Sequence, residues 1–70
     1  DALRALRKRI AEEERIAPFM VFSERTLEEL AAVMPRTRRE LLSVRGIGEV
    51  RADRLGGAIL SLVEEIVDNE

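Results

Sequence analysis

Leu41-Leu42-Ser43-Val44-Arg45-Gly46-Ile47-Gly48-Glu49-Val50-Arg51 decides the fold of this chain. It reads as a short helix, a tight glycine turn and the start of a second helix. Gly46 and Gly48 reach backbone angles closed to other residues, so the turn can be sharp and another molecule's backbone can come close. After Gly48, which follows Ile47 in the turn, the free amides of a new helix point outward. Those donors, with the positive end of the helix dipole, suit a phosphate oxygen. The turn has an architectural reading as well, because glycines end helices where no ligand is involved.

Outward from the turn, the apolar residues keep helical spacing and none of the chain alternates as a strand would. Leu3, Leu6 and Ile10 form a stripe on a first helix over residues 2–15. Pro18 interrupts it, and Ile16-Ala17-Pro18-Phe19-Met20-Val21-Phe22 follows as an apolar, non-periodic segment that must be covered or serve as a contact surface. Ser23 is a good N-cap, with Glu24 favourable at the positive helix end. Leu27, Leu30, Ala31 and Met34 then carry a second helix to a stop at Pro35. Thr37-Arg38-Arg39-Glu40 has capping-box spacing and opens a short third helix that buries Leu41, Leu42 and Val44. A fourth helix is expected near residues 49–54, weakened or broken at Gly56-Gly57. A fifth, running to about residue 68, carries Leu55, Ile59, Leu62, Val63 and Ile66 on one face. The expected fold is all-α: a compact single-domain bundle of about five helices over residues 1–70.

Composition excludes several chemistries. With no Cys and no His, there are no disulfides, zinc fingers, or thiol or imidazole catalysis. No apolar run approaches the roughly 18 residues of a membrane span, and no signal-peptide pattern is present. Seventy residues bury only about 60% of their unfolded surface, so the core is modest. We expect a cytoplasmic, monomeric domain, and the first residue, Asp rather than Met, leads us to expect a piece of a longer protein.

The net charge of −2 conceals segregation. Arg4, Arg7, Lys8 and Arg9 face only Asp1 in residues 1–9. Arg36, Arg38, Arg39, Arg45, Arg51 and Arg54 outnumber Glu40, Glu49 and Asp53 in residues 36–54. Each of those stretches is locally +3. Residues 10–35, with six Glu against Arg15 and Arg25, are −4, and so is the tail with Glu64, Glu65, Asp68 and Glu70. Nucleic-acid affinity comes largely from counterions displaced at phosphates, so a local basic face on an acidic body predicts weak binding.

In order and spacing, the whole chain resembles an HRDC domain, the "helicase and RNase D C-terminal" module. Leu3-Arg4-Ala5-Leu6-Arg7 with Ile10-Ala11 is similar to that family's opening helix. Pro18-Phe19-Met20-Val21-Phe22-Ser23 is similar to its P-[YF]-x-[VI]-F-[ST] segment. Thr26-Leu27, Leu30 and Met34-Pro35 resemble its second helix and proline stop. Glu40 to Gly48 resembles its E-L-L-x-[IV]-x-G-[VI]-G core, a turn shared with helix-hairpin-helix modules that grip nucleic-acid backbones. Arg51 stands where the family usually has Lys, and Leu55-Gly56 where it usually has Tyr-Gly. With no Tyr or Trp, only Phe19 and Phe22 remain as base-stacking platforms.

The resemblance implies a non-catalytic auxiliary domain, most similar to that of a bacterial RecQ-type DNA helicase. Such a parent would use ATP and Mg²⁺ in DNA repair and recombination, and the domain itself would hold neither. The implied partners are single-stranded or junction DNA, bound weakly, or the parent's own helicase core. Two alternatives stay open: an acidic-faced protein-interaction or regulatory module, and the C-terminal module of an RNase D-like exonuclease.

The candidate nucleic-acid contacts are Arg39, Arg45, Gly46, Ile47, Gly48, Arg51, Arg54 and Phe19. Arg51 and Arg54, three apart, share a helix face and with the amides after Gly48 form a phosphate clamp. The bland reading pairs these arginines with Glu49 or Asp53. Phe19 either stacks on a base or joins Ile16, Val21 and Phe22 in plugging the bundle. Arg4, Arg7 and Lys8 read first as a solubilising face opposite Leu3, Leu6 and Ile10. The candidate protein-docking set is Glu12, Glu13, Glu14, Glu64 and Glu65, a continuous negative surface if their helices are neighbours. No carboxylate set converges as metal-assisted hydrolysis requires, so catalytic and metal sites are none.

Overall fold

Asp1 caps the chain's first turn: its carboxylate accepts from the amides of Leu3 at 3.0 Å and Arg4 at 3.4 Å. The computed structural model describes residues 1–69, and among them it has five helices. These are α1 (Ala2–Glu14), α2 (Pro18–Val21), α3 (Glu24–Val33), α4 (Arg38–Leu42) and α5 (Glu49–Asp68). The all-α expectation holds, but the helices divide differently.

The segment read as non-periodic contains a one-turn helix, α2. Pro18 sits at its first position, where a fixed φ helps and the missing N–H costs nothing. A single turn is too short to show a period. Conversely, the fourth and fifth expected helices are one, since α5 passes through Gly56 and Gly57 unbroken. Two helical glycines cost about 2 kcal/mol relative to alanine. Each fully buried aliphatic side chain contributes roughly 1.5–3 kcal/mol, and α5 buries Leu55, Ile59 and Val63. Burial wins. Gly56 also has a packing reason: a Cβ there would lie 3.3 Å from Leu41 Cδ2 of α4.

Ser23 caps α3 as expected, accepting from the Thr26 amide at 3.1 Å. Thr37 likewise accepts from the Glu40 amide at 3.1 Å. The capping box is only half formed, however, because the Glu40 carboxylate turns back to the Arg36 amide at 2.7 Å, one residue before the cap. The core comprises Leu3, Leu6, Ile10 and Ala11 from α1, Val21 and Phe22, Leu27 and Leu30 from α3, Leu41, Val44 and Ile47 around the turn, and the inner face of α5. Leu62, Met34 and Leu42 pack partly against it, whereas Ala31 is exposed. The radius of gyration, 11.1 Å, is that of a fully collapsed chain of this length, about 11 Å.

Two tethers place the elements that matter for function. Thr26 of α3 is buried, and its hydroxyl donates to the Arg45 carbonyl at 2.9 Å. Gly46 has φ +91°, and a Cβ there would lie 2.2 Å from Thr26 Oγ1. Both conformation and space therefore demand glycine at 46. The second tether corrects the reading of Arg4 and Arg7 as a solubilising face. Arg7 is buried; it donates to the Phe22 carbonyl at 3.2 Å and to Glu24 at 3.0 Å, and its guanidinium lies 5.9 Å from the Phe22 ring centre. Arg4 grips the same carboxylate. A buried guanidinium is tolerable only when paired, and Glu24 pairs it. Lys8 stays exposed.

α1 and α5 are neighbours running antiparallel. Glu14 meets Arg54 at one end, while Ala2, Ala5 and Arg9 share a groove with Ala58, Ser61 and Glu65 toward the other. The acidic runs therefore fall at opposite ends and make no continuous negative surface; Glu70 lies outside the described residues.

Gly46→Ala should destabilise the domain by roughly 2–4 kcal/mol from backbone strain and the clash with Thr26, measured by urea denaturation. Gly57→Ala should instead stabilise it by up to about 1 kcal/mol, because space is open there within the helix.

Hydrogen bonds from Arg4 and then Arg7 pull the Glu24 pKa down to about 2 from 4.5. A carboxylate lowered this way contributes stability that is fully present above its unfolded pKa and lost as pH falls through the folded one. The melting temperature of the unmodified chain should therefore exceed that of Glu24→Gln above pH 4.5, with the gap closing between pH 4.5 and about 2. A gap as wide at pH 2 as at neutral pH would contradict this.

Candidate nucleic-acid interface

The two glycines of the turn have different reasons to be there. Gly46 is required by the fold. Gly48, the N-cap of α5, has φ −96°, an angle open to any residue, and a Cβ on it would meet nothing within 4 Å. It leaves empty space in front of a helix start that no side chain caps. The first intrahelical bond of α5 runs from Ala52 N–H to Gly48 O at 2.9 Å. The amides of Glu49, Val50 and Arg51 precede it and have no helical partner.

The backbone around Arg45 is held on both sides, its carbonyl by Thr26 and its amide donating to Glu29 at 2.6 Å. Its side chain is exposed, and no carboxylate lies within 4.0 Å of it among the described residues. Arg39 on α4 is likewise exposed and unpaired among them. Ile47 is buried and anchors the turn from beneath, so only its backbone is available for contact.

Glu49 and Asp53 do not pair with the turn arginines. Both bind Arg38 at 2.8 Å, which joins α4 to α5 and raises the guanidinium pKa, through Glu49 first and Asp53 second. Arg38 thus offsets two negative charges on the first turns of α5. Arg54 pairs with Glu14 at 2.7 Å in an exposed contact. Such a pair is worth about 0–1 kcal/mol, so a phosphate can compete for Arg54. Arg51 is more firmly held, its Nε donating to the Val21 carbonyl at 3.0 Å and its Nη1 to the Gly46 carbonyl at 3.3 Å. Arg51 and Arg54 therefore do not present a matched clamp.

Phe22 and Val21 plug the bundle, while Phe19 stays outside it, 69% exposed. Met20 and Val50 are also exposed, at 54% and 70%. Met20 and Val50 rim an open groove of about 420 Å³ that runs past Gly48, Arg51 and Arg54 to Glu14. Arg25 is a candidate that sequence reading missed. It precedes Thr26, the residue that touches the turn, and is exposed without an ion-pair partner among the described residues. Nothing local in the sequence joins residue 25 to residue 46.

Glu12, Glu13, Glu64 and Glu65 are exposed, and Glu14 is committed to Arg54. No group of three or more His, Cys, Asp or Glu among the described residues is arranged to hold a metal ion, and no helix there is long and apolar enough to cross a membrane.

This arrangement has close counterparts. The chain is 41% identical over 63 residues, 90% of its length, to an ATP-dependent DNA helicase RecQ of Haemophilus influenzae, and 39% identical over 64 residues to that of Bacillus subtilis. It spans only 10% and 11% of those two proteins. Among solved structures, "D. radiodurans RecQ HRDC domain 3" superposes with a TM-score of 0.91 at 43% identity, covering 96% of this chain and 88% of that one. The family described as HRDC domain matches residues 1–63. With the match running through every helix up to residue 63, the chain belongs to that family as an HRDC domain.

Proposed function

We propose that this HRDC domain is a non-catalytic auxiliary domain of a RecQ-type DNA helicase that adds a weak grip on the nucleic-acid backbone. The observation that carries the reading is Gly48: the fold does not need glycine there, yet its missing side chain keeps the α5 amides open. A phosphate oxygen entering above Gly48 accepts from those amides and meets the positive end of a 20-residue helix. Arg45 on the turn supplies an exposed positive charge with no ion-pair partner among the described residues, and Arg39 and Arg25 are exposed and unpaired likewise. Phe19 offers a ring face to a base alongside the groove.

The net charge of −2 keeps intrinsic affinity low. A weak site still matters in a larger enzyme, since a tethered module raises the local concentration of bound strand and shifts substrate preference more than turnover. ATP hydrolysis belongs to the motor of the parent protein.

Fluorescence anisotropy with a labelled single-stranded oligonucleotide, at about 20 and 150 mM salt, tests this reading. Affinity should fall steeply with salt, and Arg45→Ala should reduce the log–log slope by about 0.7, one phosphate contact on a single strand. Gly48→Ser should leave thermal stability unchanged or higher, because serine is a good cap, while weakening binding. Absence of binding at low salt, or unchanged affinity in Gly48→Ser, would overturn the proposal.

A further inference from the structure

We infer that Arg51 is a positioning residue that fastens α2 to the glycine turn, so that Phe19 and the α5 amides are presented as one surface. The inference rests on the nucleic-acid reading above for its purpose, and on separate geometry for its content.

Arg51 lies on the first turn of α5, but its side chain reaches back to two other segments. Nε donates to the carbonyl of Val21, the last residue of α2, and Nη1 to the carbonyl of Gly46, the left-handed residue of the turn. No backbone donor outside regular helix reaches either carbonyl among the described residues. One guanidinium thus satisfies two otherwise open acceptors that lie 25 positions apart in the sequence.

α2 needs such a fastener. A four-residue helix closes too few hydrogen bonds to hold itself, the nucleus being the costly part of helix formation. Val21 and Phe22 anchor its far end in the core, while Phe19 and Met20 project from it with little around them. The planar fork of arginine fixes two acceptors at set directions, whereas the ammonium of lysine is a point donor on a flexible stem. Arg51→Lys keeps the charge and loses the fork. A phosphate ligand and a positioning residue therefore give different results for that one change.

Two readouts on the full chain decide the matter. In the free protein, amide hydrogen exchange over residues 19–22 should be faster in Arg51→Lys than in the unmodified chain, by about threefold or more if the α2 turn opens by local fluctuation. With a labelled oligonucleotide, Phe19→Ala should cost roughly fivefold in affinity, the low end for one stacked base. In the Arg51→Lys background the same substitution should cost less than about twofold, a non-additivity that marks coupled residues. The salt slope of Arg51→Lys should match that of the unmodified chain. Unchanged exchange overturns the fastening. Additive losses, with Arg51→Met lowering the salt slope by about 0.7, would instead make Arg51 a phosphate ligand. A faster-exchanging variant of a chain that binds no oligonucleotide would overturn the nucleic-acid role and leave the fastening standing.

Discussion

The hydroxyl of Thr26, lodged against the glycine turn, holds the rest of this small domain in register. It accepts from Ser23 on one side and donates to the Arg45 carbonyl on the other, occupying the space any side chain at 46 would need. That contact joins the start of α3 to the junction of α4 and α5, two regions with no local reason to meet. Val44 and Ile47, both buried, pin the turn from below. The direction in which the α5 amides face is therefore a property of tertiary packing as much as of the turn itself. A buried hydroxyl with both bonding directions satisfied is also costly to disturb, since removing it would leave the Arg45 carbonyl with one partner fewer.

The second organising feature is how an acidic chain keeps a basic surface at one place. Several of its carboxylates are ion-paired within the fold: Glu24 by Arg4 and Arg7, Glu49 and Asp53 by Arg38, and Glu14 by Arg54, while Glu29 accepts from the Arg45 amide at the turn. The exposed pairs add little to stability, about 0–1 kcal/mol each. Their effect is on the local field, because they leave the guanidinium groups of Arg25, Arg39 and Arg45 without an ion-pair partner among the described residues. The acids Glu64, Glu65 and Asp68 sit at the far end of α5. Over roughly 15 Å of helix from Arg54 to Glu64, physiological salt screens most of their repulsion.

What could be read from sequence was what is local. The Ser23 cap, the Leu27–Leu30 stripe, the proline stop at 35 and the glycine turn each depend on residues within one or two helical turns. The family resemblance, carried by such local features in order, extended over the whole chain. Most of the misreadings turn on partners that packing supplies. Continuity of α5 through Gly56-Gly57 is decided by burial against α1 and α4, which overrides propensity. α2 is too short to show a period. Arg7 and Arg51 look like surface cations until the carbonyls of Phe22, Val21 and Gly46 come within reach, and those partners lie 15, 30 and 5 residues away. Of the candidate contact residues, Ile47 proves to be an anchor and Arg51 a bridge, while Arg45, Gly48 and Phe19 stay open to solvent.

On the proposed reading, the glycine turn and the neighbouring α2 form the face that meets nucleic acid. Two-dimensional ¹H–¹⁵N NMR of the labelled domain, titrated with a short single-stranded oligonucleotide at low salt, tests it residue by residue. Amide shifts concentrated at residues 45–51 and 19–20, with residues 61–68 unmoved, are the predicted result. Shifts confined to residues 61–68 or to the α1–α5 groove, with the turn silent, would contradict it.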